Sequence, residues 1–391
     1  MKFKVFSKIR FFFLIYSVMI FSACHDSDKI EPEYGERTVL IYMAADNNLN
    51  KDGETNIKSI LKGMEQTAGR LVIYIDPRYD VPRLLTVKGG KGCRLDTLET
   101  YTEENSASPE VLARVVKEGQ KRYPASSYGL VLWSHGLGWV PPEYSFPGGY
   151  AMRLPDPDMP RTKYYAEDEH PGTTGKAYMD IREMAARLPG HFNFILWDVC
   201  FMGGIEVAYE LRNKTDYMIA SPAEVISDGF PYEKIVPLFW GGEEAMKQIC
   251  REYYNHYNKY PVNSLWRSAV VGLVKTEELE PLAAKVRTLL AGKTDYARAW
   301  HYPLNQGGLP MVFFDFGDYI RKMTTEEEYN SFKKLLDRVV IYKAATEKLF
   351  GEEVPADKFS GLTSYIPFSE WSDMNTYYYT LDWGATVYEN N

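Results

Sequence analysis

Cysteine is scarce in this chain, with four residues in 391. One of them, Cys24, follows a leader-like stretch, and the other three, Cys93, Cys200 and Cys250, are too few to staple a fold of this size. A hydrophobic core must hold the protein together, and a composition that is 45% hydrophobic and 15% aromatic supplies one. Histidine is nearly as sparse, with six residues, so candidate bases are few. No long basic run is present and the formal net charge is −8, which argues against general nucleic-acid binding. No internal repeat is visible. EF-hand spacing is absent, and no metal site is expected.

Long apolar runs are also missing. The stretch from Phe11 to Phe21 is too short to cross a bilayer as a helix. With Lys2, Lys4, Lys8 and Arg10 ahead of it, residues 1–23 read as a signal peptide. The sequence Phe21-Ser-Ala-Cys24 resembles the bacterial lipobox, with phenylalanine where leucine is usual. That resemblance implies lipid attachment at Cys24, where each buried methylene contributes about 0.8 kcal/mol to membrane anchoring. Residues 24–36 are polar and acidic and read as a solvated tether. The expected location is the envelope of a bacterium, at the outer membrane or cell surface.

From Arg37 onward, strand and helix patterns alternate. Val39–Met43 and Leu71–Asp76 read as strands, and Arg83–Val87 is expected to pair with the second after a Pro77–Pro82 turn. Ser108-Pro109 opens a helix, with serine as the cap and proline in the first turn. This alternation predicts an α/β fold with a mostly parallel sheet and helices on both faces. One domain is expected over 37–265, and residues 266–391 are expected to form a smaller C-terminal part that packs on or extends the same sheet. There the pattern predicts a strand over Ser268–Val274, a helix over Thr276–Leu290 and a short strand over Met311–Asp315. A long helix over Thr325–Phe350 and a last strand over Gly361–Phe368 follow. Aromatics gather at Tyr377–Tyr379, Trp383 and Tyr388, suited to a carbohydrate platform but more commonly to packing.

Two strands end in reactive side chains. Asn193-Phe-Ile-Leu-Trp-Asp-Val-Cys-Phe-Met-Gly-Gly204 is an apolar strand that runs into Cys200 and a glycine turn, and a helical pattern follows from Ile205 to Leu211. Tyr128-Gly-Leu-Val-Leu-Trp-Ser-His-Gly136 ends the same way in His135. If the strands are neighbours in a parallel sheet, thiol and imidazole emerge side by side at its carboxyl edge, where open α/β sheets bind ligands. Alone, such a cysteine is ordinarily core packing and such a histidine structural. The matched settings make a catalytic pair the better reading. Asp198, two residues before Cys200, faces the same way by strand alternation.

These residues resemble the clostripain family of cysteine peptidases, relatives of caspases, gingipains and legumains. Ser134-His-Gly136 and Asp198–Gly204 carry the resemblance, supported by Thr38–Leu49 and Gly361–Pro367, and histidine precedes cysteine as in caspase-like enzymes. The resemblance implies a caspase-like fold and an endopeptidase that cuts after Arg or Lys through a Cys200 thioester, with His135 as acid and base. The backbone N–H groups of Gly136 and Cys200 are then the oxyanion donors, and Asp198 is the base of the pocket for the basic side chain. Asp228 is the second candidate pocket acid, with Glu224 as its alternative. No third member of a triad is identifiable.

The family also implies self-cleavage after a basic residue in the proline- and glycine-rich excursion from Gly136 to Lys176. Arg153, Arg161, Lys163 and Lys176 are the candidates, with cleavage expected near Arg161 or Lys163 and an uncut surface loop as the alternative. Some relatives depend on calcium, but the acidic residues of the excursion have the pattern of a solvated loop. The expected partners are polypeptides with a basic residue before the cut bond, and a membrane through the N-terminal lipid. The competing reading is a catalytically silent surface lipoprotein that binds glycan or protein on a peptidase-like fold.

Overall fold

The structure, a computed structural model, describes residues 37–141, 158–163, 179–305 and 312–388. The signal peptide, Cys24, the acidic tether, Arg153 and Lys176 lie outside these residues. The chain runs β1 (Arg37–Ala45), α1 (Asn50–Met64), β2 (Arg70–Pro77), β3 (Arg83–Lys88), β4 (Asp96–Thr100), α2 (Pro109–Arg122) and β5 (Ser127–Trp133). After the excursion come α3 (Ile181–Arg187), β6 (Phe192–Asp198), α4 (Ile205–Glu210), β7 (Thr215–Ala220), α5 (Tyr232–Ile235) and α6 (Glu243–Asn258). Then follow β8 (Val270–Lys275), α7 (Leu279–Leu290), β9 (Phe314–Asp315), α8 (Phe316–Met323), α9 (Glu326–Val339), β10 (Val340–Ala345), α10 (Ser372–Tyr378) and α11 (Asp382–Tyr388).

One nine-stranded sheet has the order β10-β8-β7-β6-β5-β1-β2-β3-β4. Its five central strands, β2, β1, β5, β6 and β7, are parallel, and their apolar runs are buried on both faces. Antiparallel strands flank that centre: β3 pairs with β2 as expected from the turn between them, and β8 with β7. Helices form two groups, α1 with α5 and α6, and α2 with α3, α4 and α11, as a sheet covered on both faces requires. Ser108 caps α2, accepting from the N–H groups of Glu110 and Val111, with Pro109 in the first turn.

The C-terminal third departs from its pattern in several places. The expected helix over Thr325–Phe350 stops at Val339, and Val340–Ala345 instead pairs antiparallel with β8 in the main sheet. Phe332, Leu336 and Val339 complete the buried helical stripe. The following Val-Ile-Tyr run is β-branched and aromatic, so the open edge of β8 captures it. The last strand shrinks to Thr363–Ser364, paired with β9. Its flanks are committed elsewhere, with the Ser360 N–H on Asp315 Oδ2 at 2.7 Å and the Tyr365 N–H on Glu206 Oε1 at 2.8 Å. The helix that leads into β6 begins at Ile181, because Asp180 caps it by accepting from the Arg182 N–H.

The C-terminal aromatics are mostly packing. Tyr378, Trp383 and Tyr388 are buried, Tyr377 lies under the Arg182 guanidinium, and only Tyr379 of this group is exposed. Trp383 meets Tyr209 of α4 edge-on at 5.4 Å, which braces the helix that follows Cys200. A further buttress reaches the Cys200 turn, where the Thr363 N–H donates to the Gly203 carbonyl at 2.9 Å.

Candidate active site

The strand order reverses direction between β1 and β5. The chain proceeds from β1 to β2 on one side, then returns to place β5, β6 and β7 on the other. A crevice opens at the carboxyl ends of strands around such a reversal. Trp133 is in register with Asp198, so His135 and Cys200, each two residues further on, leave the sheet at the same edge. Gly136 lies against the Cys200 turn so closely that a Cβ there would fall 2.2 Å from Val199 Cγ1 and 3.3 Å from the Cys200 carbonyl oxygen. Phe201 follows with φ +60, a left-handed conformation costly for a bulky residue, and its ring stacks on Phe313 at 4.3 Å.

His135 is buried, and its Nε2 lies 2.7 Å from Asn48 Oδ1 on the loop after β1. With an amide oxygen as partner, Nε2 carries the proton and Nδ1 is left as the base. Burial pushes the imidazole pKa down to about 3; the Lys163 backbone, which faces the ring, opposes that shift and the positive charges of Lys163 and Arg161 add to it. The Cys200 sulfur is also buried and accepts from the Val225 N–H at 3.0 Å. Burial, followed by the charge of Glu224, raises its pKa well above the ordinary thiol value, against the pull of the Val225 N–H and Lys163. The thiol and the imidazole are thus both neutral.

Residues 160–163 of the chain's own excursion pack over this edge. Thr162 pairs antiparallel with Ile226. The Ser227 N–H donates to the Arg161 carbonyl and the Lys163 N–H to the Val225 carbonyl, each at 2.8 Å. The Lys163 carbonyl accepts from the Gly136 N–H at 3.2 Å. Its side chain dives into a pocket floored by Asp198, with Nζ 2.7 Å from Oδ1, and neither residue exposes its side chain. Burial pulls the ammonium pKa down and Asp198 opposes that shift. The face of Trp133 lies 4.4 Å from Nζ, a cation–π contact that desolvation strengthens.

Other side chains shape this pocket. The Tyr232 hydroxyl donates to Asp198 Oδ2 at 2.9 Å. Gly229 closes the floor with φ +71, and a Cβ there would sit 2.4 Å from Asp198 Oδ2 and 2.7 Å from Lys163 Nζ. Asn56 of α1 accepts from the Trp133 indole at 2.7 Å and donates to the Asp228 carbonyl at 3.0 Å, which ties the two walls together.

The pocket residues expected from sequence divide. Asp198 meets the ammonium, whereas Asp228 is exposed on the turn above, its carboxyl pKa raised by partial burial and by the charge of Asp52. Glu224 is buried and accepts from the Thr162 hydroxyl at 2.6 Å. Of the two expected cut sites, Lys163 is in the pocket, and Arg161 reaches outward to Asp52. Asn48, Trp133, Gly229 and Asp52 carry no motif of their own; Asn48 is foreshadowed only by the Asp46–Asn50 loop at a strand's carboxyl end. Among the described residues no group of three or more His, Cys, Asp and Glu is placed to hold a metal ion, and none of their helices is long and apolar enough to cross a membrane.

Comparison with known proteins places this arrangement among relatives. The sequence model of the clostripain family matches residues 41–383. Clostripain from Hathewaya histolytica is 26% identical over 228 residues, which cover 51% of this chain and 41% of that protein. The match therefore spans about two fifths of the curated relative. Among solved structures, the inactive zymogen of a protease of this family from Parabacteroides distasonis superposes with a TM-score of 0.74. It is 34% identical, over 91% of this chain and 99% of that one. A secreted cysteine protease of the family from Bacteroides thetaiotaomicron, in complex with an irreversible peptide inhibitor, also gives 0.74, with 28% identity over 90% and 99% of the two chains.

Proposed function

Because the chain belongs to the clostripain family of cysteine peptidases, we propose that it cleaves polypeptides after a basic residue with Cys200 and His135, and that its first substrate is its own Lys163–Tyr164 bond. The observation that carries this reading is the seating of Lys163: ammonium on Asp198, carbonyl on the Gly136 N–H and N–H on the Val225 carbonyl. That is how a substrate residue immediately before a cut bond must lie.

In the reaction, His135 Nδ1 takes the thiol proton and the Cys200 sulfur bonds to the Lys163 carbonyl carbon. The oxygen that becomes negative rests on the Gly136 N–H, with the Cys200 N–H as the second proposed donor. Such a donor contributes roughly 3 kcal/mol in acyl-transfer enzymes. Collapse breaks the C–N bond to Tyr164, whose nitrogen takes the proton from His135 and leaves a thioester. Water, deprotonated by His135 Nδ1, then attacks the thioester carbon; the C–S bond breaks, the Lys163 carboxylate is released, and the sulfur takes the proton back from His135. Departure of the 161–163 segment then opens the pocket to other polypeptides. The described structure is accordingly the uncut precursor, with its thiol kept protonated by burial. The basic leader, the Ser-Ala-Cys24 sequence and the acidic tether support export and lipid attachment at the bacterial envelope.

The test is to purify the wild-type chain and Cys200→Ala and to sequence any new N-terminus. The wild type should yield a fragment that starts at Tyr164, and the variant should stay whole. A cut at another bond, or a cut that persists in the variant, would overturn the proposal.

A further inference from the structure

We propose that the cleft reads three consecutive residues, with Asp52 selecting a basic side chain two positions before the cleaved lysine and Glu224 selecting a hydroxyl at the position between. This inference rests on the reading above, in which residues 161–163 lie as a substrate lies.

Strand pairing sets the geometry. Arg161 and Lys163 leave the backbone on one side and Thr162 on the other. Arg161 extends along the first turn of α1, where its Nη2 lies 2.8 and 3.0 Å from the two carboxylate oxygens of Asp52. Its Nη1 faces the Asn48 carbonyl at 3.4 Å. An aspartate in the first turn of a helix is ordinarily explained by the helix dipole. Here the carboxylate is only 13% exposed and is engaged by a guanidinium from a segment more than a hundred residues away. Asp228 adds a second negative group to the same side, close enough for its carboxyl to respond to both Asp52 and Arg161.

On the other side, the Thr162 hydroxyl donates to Glu224 Oε2 at 2.6 Å in a buried setting. Glu224 Oε1 accepts from the Asn305 N–H at 2.7 Å, and the Asn305 amide donates to the Pro160 carbonyl at 2.9 Å. The carboxylate is thus fixed in place by the residue that also clasps the incoming backbone. A valine in place of threonine has the same shape and lacks the donor, and a site built around a buried acceptor rejects such an isostere. Each of the three side chains therefore meets its own carboxylate: Asp52, Glu224 and Asp198. The substrate class is a polypeptide with a basic residue, a hydroxyl residue and a lysine in succession.

The test uses the full-length, self-processed wild-type enzyme and fluorogenic peptide amides ending in Arg-Thr-Lys, Ala-Thr-Lys, Glu-Thr-Lys and Arg-Val-Lys. The Arg-Thr-Lys peptide should exceed Ala-Thr-Lys in kcat/KM by about three- to tenfold, as a half-exposed ion pair permits, and Glu-Thr-Lys by more. It should exceed Arg-Val-Lys by roughly tenfold or greater. Asp52→Arg should invert the order of the Arg and Glu peptides, and Glu224→Gln should shrink the threonine-to-valine ratio. Both are ratios within one variant, so a general loss of activity cancels, and the wild-type series alone decides if a variant fails to fold. Equal rates on all four peptides would overturn this inference and leave cleavage after lysine standing. No hydrolysis of any of them would overturn the parent reading as well.

Discussion

Cys200 and His135 stand on the ends of β6 and β5, strands held in register along most of their length and buried on both faces. The Arg161–Lys163 segment that covers them belongs to no named element and is held by three backbone hydrogen bonds, at Arg161 and Lys163, by the Asn305 amide on the neighbouring Pro160 carbonyl, and by three carboxylates. The first region depends on the sheet and would persist without the second. The second depends on side chains that the first provides. On the proposed reading, latency comes from occupancy of a finished site, whose chemistry needs only that the occupant leave.

The sharpest way to break that contrast is to remove the floor they share. Asp198→Ala should lower kcat/KM on lysine peptides by about a thousandfold, because it leaves the substrate's ammonium buried and unpaired. It should also destabilise the uncut chain by about 3–5 kcal/mol for the same reason. An unchanged preference for basic over apolar residues would put the floor of the pocket elsewhere.

Occupancy itself can be tested on thiol reactivity. In the uncut His135→Ala chain, iodoacetamide should label Cys200 slowly, since burial keeps its thiol protonated. Adding Lys163→Ala should unseat the segment and speed labelling at least about tenfold, as read by mass spectrometry of the labelled cysteine. Equal rates would mean that the segment does not shield the sulfur.

Asn48→Ala should loosen the imidazole and lower kcat roughly tenfold to a hundredfold with little change in KM. Asn48→Asp should restore orientation and move the acid limb of the kcat/KM profile upward, because a carboxylate favours the imidazolium. A variant with unchanged kcat and an unmoved profile would reduce Asn48 to a structural partner.

The smallest effect is expected from the buttress behind the rim. Glu206 of α4 accepts from the Tyr365 N–H and the Tyr378 hydroxyl, and burial lifts its pKa from 4.5 to about 7. The folded value lies above the unfolded one, so this group's contribution to stability is full below pH 4.5 and is lost as pH rises through 7. Glu206→Gln should remove that loss, of order 3 kcal/mol at most. Melting temperatures between pH 5 and 8 should fall for the wild type and stay flatter for the variant, and parallel curves would sink the idea.

Much of the rim was legible in sequence because its logic is local: an apolar run, a reactive residue and a glycine, twice over, with alternation aiming Asp198 beside Cys200. The tenant was legible only in part. Arg161 and Lys163 share a side of an extended strand, and only the pairing of Thr162 with Ile226 determines which of them enters the pocket. Asn48, Trp133 and Gly229 look like ordinary loop, core and turn residues until β1, β5 and β7 bring them together. The missed end of α9 has the same origin, since Val340–Ala345 becomes a strand only because β8 offers an unpaired edge.

The boundary between Lys163 and Tyr164 lies between β5 and β6, which are hydrogen-bonded neighbours in the centre of the sheet. A cut there would give one fragment the imidazole and the other the sulfur and Asp198. The halves would migrate separately under denaturing conditions and travel as one particle in native buffer, and neither could turn over substrate alone.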